Sequence, residues 1–193
     1  RGVLKSSTGR ISALAASPDG RLLAGAGQGK GTEVWEVAGA QKVASLTTEE
    51  EAIVALAFSP DGSRLACGGG TGAIELWDLR AGTQSATLDG HTGGVRSLDF
   101  SPDGTLLASA GSTDGEVRLW DSKQARLVQI FRPTGGSRTV AFADGRTLVF
   151  GAGSDVLVVP LALELWRIEP AKLLEEAERE AAMRLTGFSL SGE

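Results

Sequence analysis

Residues 101–121 read SPDGTLLASAGSTDGEVRLWD, and this stretch decides the fold. Asp103-Gly104 is a short turn signal, and the apolar run that follows it at 106–109 is typical of a β-strand. A second apolar run, 117–121, comes after a glycine-containing turn and ends in Trp120-Asp121. Short strands joined by tight turns predict an antiparallel β-sheet in this part of the chain.

The same pattern recurs along the chain with a fixed period. SPDG begins at Ser17, Ser59 and Ser101, each copy 42 residues after the last, and a shortened copy occupies 143–145. Tryptophans lie 15 or 16 residues beyond the glycine of each full copy, at Trp35, Trp77 and Trp120. A period near 42 residues is longer than an ankyrin or tetratricopeptide unit and fits one four-stranded propeller blade.

Each unit reads as β structure throughout. Val95, Leu98 and Phe100 are separated by steps of three and two residues, and a step of three within a period of two predicts a β-bulge in the first strand. The third strands are apolar on both faces, which is expected when each sheet packs between two neighbours. Fourth strands are predicted at 42–46, 84–88 and 127–131.

Composition excludes several classes of protein. The formal charge of -5 gives no basic excess, which argues against binding to nucleic acid or to an anionic membrane through charge alone. The single cysteine excludes an internal disulfide framework and predicts a reducing, cytoplasmic location. The longest apolar stretch, 156–163, is too short to span a bilayer. The chain begins at Arg1 rather than Met, so we expect a piece of a longer protein, and its Ala/Gly/Leu/Arg-rich composition is typical of a bacterial one.

A glycine-rich run, GAGQGKGTEVW at 25–35, raises the question of a phosphate-binding loop. A loop of the GxxxxGK[ST] type needs a glycine where this chain has Ala24 and a hydroxyl where it has Gly31. The GxGxxG dinucleotide pattern also fails. The run aligns with CGGGTGAIELW at 67–77, so we interpret it as a turn between two strands, with no helix at which phosphate could bind. Lys30 is then a surface residue of this turn.

On these residues the sequence resembles the WD-repeat β-propeller family over about residues 1–160. The matching elements are Gly90-His91, the SPDG turns, Ser109, Asp114, Trp77-Asp78 and Trp120-Asp121. The resemblance implies an all-β propeller of four-stranded antiparallel blades, with about four blades in this chain. It divides residues 1–168 into units at about 9–50, 51–92, 93–136 and 137–168, preceded by 1–8 as the last strand of an earlier blade.

In that family a His, a Ser or Thr, an Asp and a Trp form a buried hydrogen-bonded chain within a blade. By position the third unit has all four, as His91, Ser109, Asp114 and Trp120. The other two SPDG units depart from the pattern: Ser7 and Glu49 replace the His, Gly25 and Cys67 replace the Ser, and Gly29 and Thr71 replace the Asp. We therefore expect the polar chain in one blade only and more reliance on apolar packing in the others.

Catalytic interpretations of these residues are weaker. His91, Ser109 and Asp114 are residue types of a hydrolytic triad, but the resemblance places them inside a blade with no oxyanion pocket. Cys67 is expected to be a small buried side chain rather than a reactive thiol. One His and one Cys make no metal-ligand cluster, and the first strands offer a central channel only three polar residues, Ser12, Ser97 and Asp99. We predict no catalytic residue, no cofactor and no metal.

In propellers of this family, the loops that precede the first strands and those between second and third strands share one face, which commonly binds partner peptides. Here these loops carry charges of both signs: Arg10, Lys30, Glu49, Glu50, Glu51, Arg132 and Arg138. Such a mosaic could orient a charged partner segment. Ordinary solvated loop charge is the alternative interpretation.

The fourth unit and the tail depart from the repeat. Leu157 and Val159 fit its third strand better than Trp166 does, which places the fourth strand at 163–168. Residues 169–193 are predicted to form a short C-terminal α-helix and a tail, because Pro170 opens a run of good helix formers. This helix either caps the last blade or binds a partner.

The sequence therefore predicts a non-catalytic protein-protein interaction scaffold or sensory module. The alternative is a regulatory propeller domain of a larger signalling enzyme, a kinase, a signalling NTPase or a protease, with its catalytic part upstream. Four units make about half a usual ring. We expect the ring to be completed by further blades or by a second copy, because an open arc exposes apolar sheet faces.

Overall fold

The chain was analysed as a computed structural model, which describes residues 3–7, 9–29, 31–49 and 52–161. It divides into two units, Arg1–Pro160 and Leu161–Glu193, and every strand given below lies in the first. Within the described ranges, no helix is long and apolar enough to cross a membrane.

The fold consists of successive antiparallel sheets, each formed by strands in chain order. Blade 1 contains β1 (Ile11–Ala16), β2 (Leu22–Gly27), β3 (Thr32–Glu36) and β4 (Gln41–Leu46). Blade 2 contains β5 (Ile53–Phe58), β6 (Arg64–Gly69), β7 (Ile74–Asp78) and β8 (Thr83–Leu88). Blade 3 contains β9 (Val95–Phe100), β10 (Leu106–Gly111), β11 (Val117–Asp121) and β12 (Arg126–Phe131). Blade 4 contains β13 (Val140–Asp144), β14 (Thr147–Ala152) and β15 (Asp155–Pro160).

This architecture confirms the predicted all-β fold of four-stranded antiparallel blades. The fourth strands of blades 1 to 3 begin one residue earlier than predicted, and Leu157 and Val159 lie in the third strand of blade 4. The strand predicted at 163–168 and the helix predicted within 169–193 lie outside the described residues. Blade 4 therefore has three strands in the part of the chain that the structure describes.

The expectation that 1–8 is the last strand of an earlier blade stays a prediction, because such a strand would pair with a sheet other than blades 1 to 4. Val3–Ser7 pairs with none of the described strands. The side chains of Ser6 and Ser7 instead hydrogen-bond to Glu33 of β3. The segment behaves as a loop that leads into β1.

The SPDG turns form because each serine replaces missing backbone hydrogen bonds. Ser101 Oγ accepts the Leu106 amide at 2.9 Å and donates to the Asp103 carboxylate at 2.7 Å. Gly104 has a φ of 68°, a left-handed conformation that a residue with a Cβ adopts at a cost. The predicted bulges are present as well, since the register shifts between Ile11 and Ala13 and at the equivalent places of β5 and β9.

The core lies between the blades. One cluster joins Ala24, Val34 and Leu46 of blade 1 to blade 2 residues that include Leu65 and Trp77. A second cluster joins Leu76 and Leu88 of blade 2 to Leu107 and Trp120 of blade 3. Because both faces of these sheets are buried, the third strands of blades 1 to 3 carry large apolar side chains such as Val34, Leu76 and Trp120, as the sequence predicts.

The first strands of consecutive blades lie side by side, and polar side chains tie blade 1 to blade 2 and blade 3 to blade 4. Ser12 Oγ donates to the Ile53 carbonyl at 2.8 Å. Ser97 Oγ hydrogen-bonds to the backbone of Val140, and Asp99 accepts the Phe142 amide at 2.6 Å. The three side chains expected to offer polar groups to a channel therefore connect one blade to the next.

Candidate functional site

The four polar residues singled out in blade 3 form one continuous chain of hydrogen bonds. Trp120 Nε1 donates to Ser109 Oγ at 2.8 Å. Ser109 Oγ lies 2.8 Å from His91 Nε2, and His91 Nδ1 lies 2.8 Å from Asp114 Oδ2. The chain connects the third strand, the second strand, the loop before β9 and the loop between β10 and β11.

The protonation state of this hydrogen-bond chain follows from the groups at its two ends. The Asp114 carboxylate can only accept, so His91 Nδ1 carries a proton and Nε2 accepts the Ser109 hydroxyl proton. Burial lowers the pKa of His91 below its usual value, although Asp114 opposes this shift. The imidazole is therefore neutral near pH 7, and every polar atom of the chain has a defined role.

Gly111 makes room for the Asp114–His91 contact. A Cβ at this position would overlap Asp114 Oδ1 and would lie 2.6 Å from His91 Nδ1. Any side chain at residue 111 must therefore displace one of these two groups. The glycine at the end of β10 is part of the polar chain even though it has no side chain of its own.

Blades 1 and 2 contain a different polar connection at the same place, which the sequence analysis missed. Glu33 lies opposite Gly25, and Glu75 lies opposite Cys67, at the register position of Arg118 opposite Ser109. Glu75 accepts the Trp77 Nε1 proton at 3.0 Å and the Glu49 backbone amide at 2.9 Å. The expectation of mainly apolar packing in these blades is wrong at this point, because a buried carboxylate replaces the His–Ser pair.

Glu33 is the most heavily hydrogen-bonded of these carboxylates. It is 1% exposed and accepts hydrogen bonds from Ser6, from Ser7 and from Lys42 Nζ at 2.8 Å. Burial alone would raise its pKa, but the hydrogen bonds from Lys42, Ser7 and Ser6 outweigh burial and lower the pKa to about 2. Glu33 is therefore ionised throughout the physiological range.

A common arrangement now appears at the three incoming loops. The backbone amides of Ser7, Glu49 and Thr92 each donate to a carboxylate, of Glu33, Glu75 and Asp114 respectively. The sequence signal for two of them was a charged residue two places before Trp35 and Trp77, on a strand that is otherwise apolar. Each loop is thereby fixed to the blade beneath it.

Among the charged residues predicted to contact a partner, Arg10 and Glu49 lie on anchored loops, and Arg132 and Arg138 lie on the loop between β12 and β13. Arg10, Glu49, Arg132 and Arg138 are exposed. Arg132 Nε pairs with Glu116 at 2.8 Å, and Arg118 Nη2 pairs with the same carboxylate at 2.8 Å. Lys30, Glu50 and Glu51 lie outside the described residues.

The geometry offers no reactive arrangement at the residues considered for catalysis. Ser109 is 0% exposed, and its oxygen is held between His91 and Trp120. Cys67 is buried, which raises the pKa of its thiol to about 12. Within the described residues, no group of three or more His, Cys, Asp or Glu could hold a metal ion.

Consecutive four-stranded antiparallel sheets that pack face to face through strands buried on both sides define a β-propeller. The profile of the family described as WD domain, G-beta repeat, matches residues 40–78 and 82–121. These two segments are similar to WD40 repeats, and the successive blades give the chain a β-propeller fold. Repeats of this kind generally serve as protein-interaction scaffolds.

Solved structures agree on the fold. The structure of U3-55K superposes with a TM-score of 0.77 at 22% identity, covering 84% of this chain and 52% of that one. The chain thus spans about half the length of that protein. Matches extend to 1554 chains, and so wide a distribution identifies a fold rather than a function. No curated protein matched the sequence.

Proposed function

We propose that the chain is a non-catalytic scaffold or sensory module that binds a protein or peptide partner on the face formed by its anchored loops. One observation carries this proposal: three loops are fixed from beneath by carboxylates, while charged side chains beside them remain exposed. Pre-organised loops lose little conformational entropy when a partner binds. Exposed charges of both signs favour one orientation of a charged partner segment.

The supporting charges are distributed unevenly over this loop face. Arg10 lies before blade 1, Glu49 lies before blade 2, and Arg132 and Arg138 lie before blade 4. A partner with basic groups near blade 2 and acidic groups near blade 4 would match them. Arg10 and Glu49 lie on loops whose backbone is held by the Glu33 and Glu75 carboxylates, which favours an interaction surface over ordinary solvated charge there.

The same proposal includes the sheet faces at the two ends of the array. Val156 and Val158 of β15 are 69% and 63% exposed, whereas Val117 and Leu119, at the same places in β11, are 0% exposed. An apolar sheet face of this kind requires cover. We propose that further propeller blades cover it, from a longer polypeptide or from a second copy of the chain.

The loop-face proposal can be tested by charge reversal followed by partner capture. Arg10→Glu with Arg138→Glu should abolish capture of a partner that the wild-type chain retains. The matched control is Arg80→Glu with Lys123→Glu, which reverses two exposed charges at the other end of the strands. Equal loss in both variants, with thermal unfolding unchanged, would contradict a binding site on the loop face.

A further inference from the structure

A polar hollow of about 550 Å3 lies on the loop face between blades 3 and 4. It is lined by the loop between β10 and β11, the loop between β12 and β13, and the turn between β14 and β15. Its volume falls in the range of pockets that hold small ligands. The side chains at its walls include Ser112, Thr113, Arg138 and Thr139.

Backbone rather than side chains forms much of this hollow. Gly115, Gly135, Gly136 and Gly153 all have positive φ, between 61° and 83°. A Cβ on Gly115 would lie 2.8 Å from Gly136 Cα, and a Cβ on Gly135 would lie 3.0 Å from Gly153 Cα. The three loops therefore pack against one another through glycine, where a side chain would clash.

The acidic groups beside the hollow are already occupied. The Asp114 oxygens accept hydrogen bonds from His91 and from the backbone amides of Thr92 and Glu116. Glu116 pairs with both Arg118 and Arg132. Arg138 is exposed and has no acidic partner among the described residues. The hollow thus combines an available guanidinium with hydroxyl groups.

We propose that this hollow binds an oxyanion, a carboxylate or a phosphomonoester, carried by a side chain of the partner peptide. Arg138 supplies the ionic hydrogen bonds, because a guanidinium matches both kinds of oxyanion with two parallel donors. Ser112, Thr113 and Thr139 also line the hollow and carry hydroxyl groups. This inference rests on the proposed function and assigns the basic part of the loop face to an acidic or phosphorylated residue.

The test titrates two probes into the full 193-residue chain labelled with 15N. The probes are the N-acetyl amides of phosphoserine and of glutamate, and the N-acetyl amide of serine is the neutral control. At least one anionic probe should shift the amide resonances of Gly115, Gly136 and Ser137 in a saturable manner. Arg138→Gln should weaken that binding at least about tenfold, since it removes a charge-assisted hydrogen bond. Arg80→Gln, an exposed arginine at the other end of the strands, should leave it unchanged.

The outcomes separate the source of the anion from the existence of the site. Binding of both probes supports a general oxyanion site, and binding of phosphoserine alone supports a phosphorylated partner. Absence of saturable shifts, or equal binding by Arg138→Gln, overturns the inference. If partner capture through the loop face persists in that case, the scaffold proposal stands while the hollow is discarded. If the probes bind but charge reversal does not affect partner capture, the hollow stands as an oxyanion site and the loop-face scaffold proposal is discarded.

Discussion

At the scale of single residues, Glu33 gives the fold a dependence on pH. Its folded-state pKa of about 2 lies below the ordinary value of 4.5. Its stabilising contribution is therefore complete above the ordinary pKa and is lost as the pH falls from there towards 2. Glu33→Gln should lower the free energy of unfolding by about 1–3 kcal/mol at pH 7, because it removes a charge that accepts several hydrogen bonds.

The measurement is urea unfolding of wild type and Glu33→Gln at pH 7, 5 and 3. The difference between the two proteins should shrink at the lowest pH. Glu36→Gln, at the end of the same strand, is the control and should change stability by less than about 0.5 kcal/mol. A difference that stays constant across the series would show that the charge of Glu33 contributes nothing.

His91 and Gly111 test the polar chain of blade 3. His91→Ala leaves Ser109 and Asp114 each short of a partner and should cost about 1–3 kcal/mol. Gly111→Ala should also be destabilising, because its Cβ overlaps Asp114 Oδ1. Gly70→Ala is the matched control, since a Cβ there meets nothing within 4 Å. Chemical unfolding gives the free energy of unfolding of each variant. If His91→Ala is as stable as wild type, His91 does not have the structural role assigned to it.

Sequence reasoning identified the blade 3 residues because they match a known pattern as a set. It missed Glu33 and Glu75 because a glutamate in a strand usually points to solvent. Their burial becomes visible only when each is placed opposite Gly25 or Cys67, at the register position that pairs Arg118 with Ser109 in blade 3. The buried glutamate that replaces the His–Ser pair makes contacts with two strands and a loop, so no single stretch of sequence reveals it.

At the scale of elements, strand positions followed directly from periodicity, whereas contacts between blades did not. Arg64 begins β6, at the register position where the other two SPDG blades have Leu22 and Leu106. Its guanidinium donates to the carbonyls of Ser122 and Gly104 at 2.8 Å and 2.9 Å. Neither sequence spacing nor strand propensity predicts a side chain that reaches into the next blade.

Arg64→Leu gives blade 2 the residue type found in its neighbours and should destabilise the boundary with blade 3. The expected loss is about 1–3 kcal/mol, because hydrogen bonds from a charged donor are removed. The stacking of the guanidinium 5.4 Å from the centre of the Phe100 ring is lost as well. Arg21→Leu, an exposed arginine of blade 1, is the control. Equal unfolding midpoints for the two variants would contradict a role for Arg64 between blades.

At the scale of the whole molecule, we expect the outer face of blade 4 to determine the assembly. Because Val156 and Val158 are more than half exposed, the 193-residue chain should associate rather than remain at its monomer mass of 19.9 kDa. Light scattering over a range of concentrations measures this mass. Val156→Lys with Val158→Lys should reduce association, whereas Val43→Lys, at an exposed valine of β4, should not.

A dispersed monomer that unfolds cooperatively at high concentration would refute this prediction. The sequence led to the same expectation from the number of repeats alone. It could not say which side chains form the exposed face, because Val156 and Val158 have the same apolar character as the fully buried Val117 and Leu119. Only their neighbours in space distinguish them.

The hydrogen bonds between first strands also favour folding of the blades in order from the N-terminus during translation. In each tie the earlier blade supplies the side chain and the later blade supplies backbone groups. A blade that has emerged from the ribosome therefore already carries the groups to which the next strand can dock. Because the later blade contributes only peptide groups, mutations in its first strand can accumulate without loss of these ties. Blades 1 and 3 are in this sense templates for blades 2 and 4.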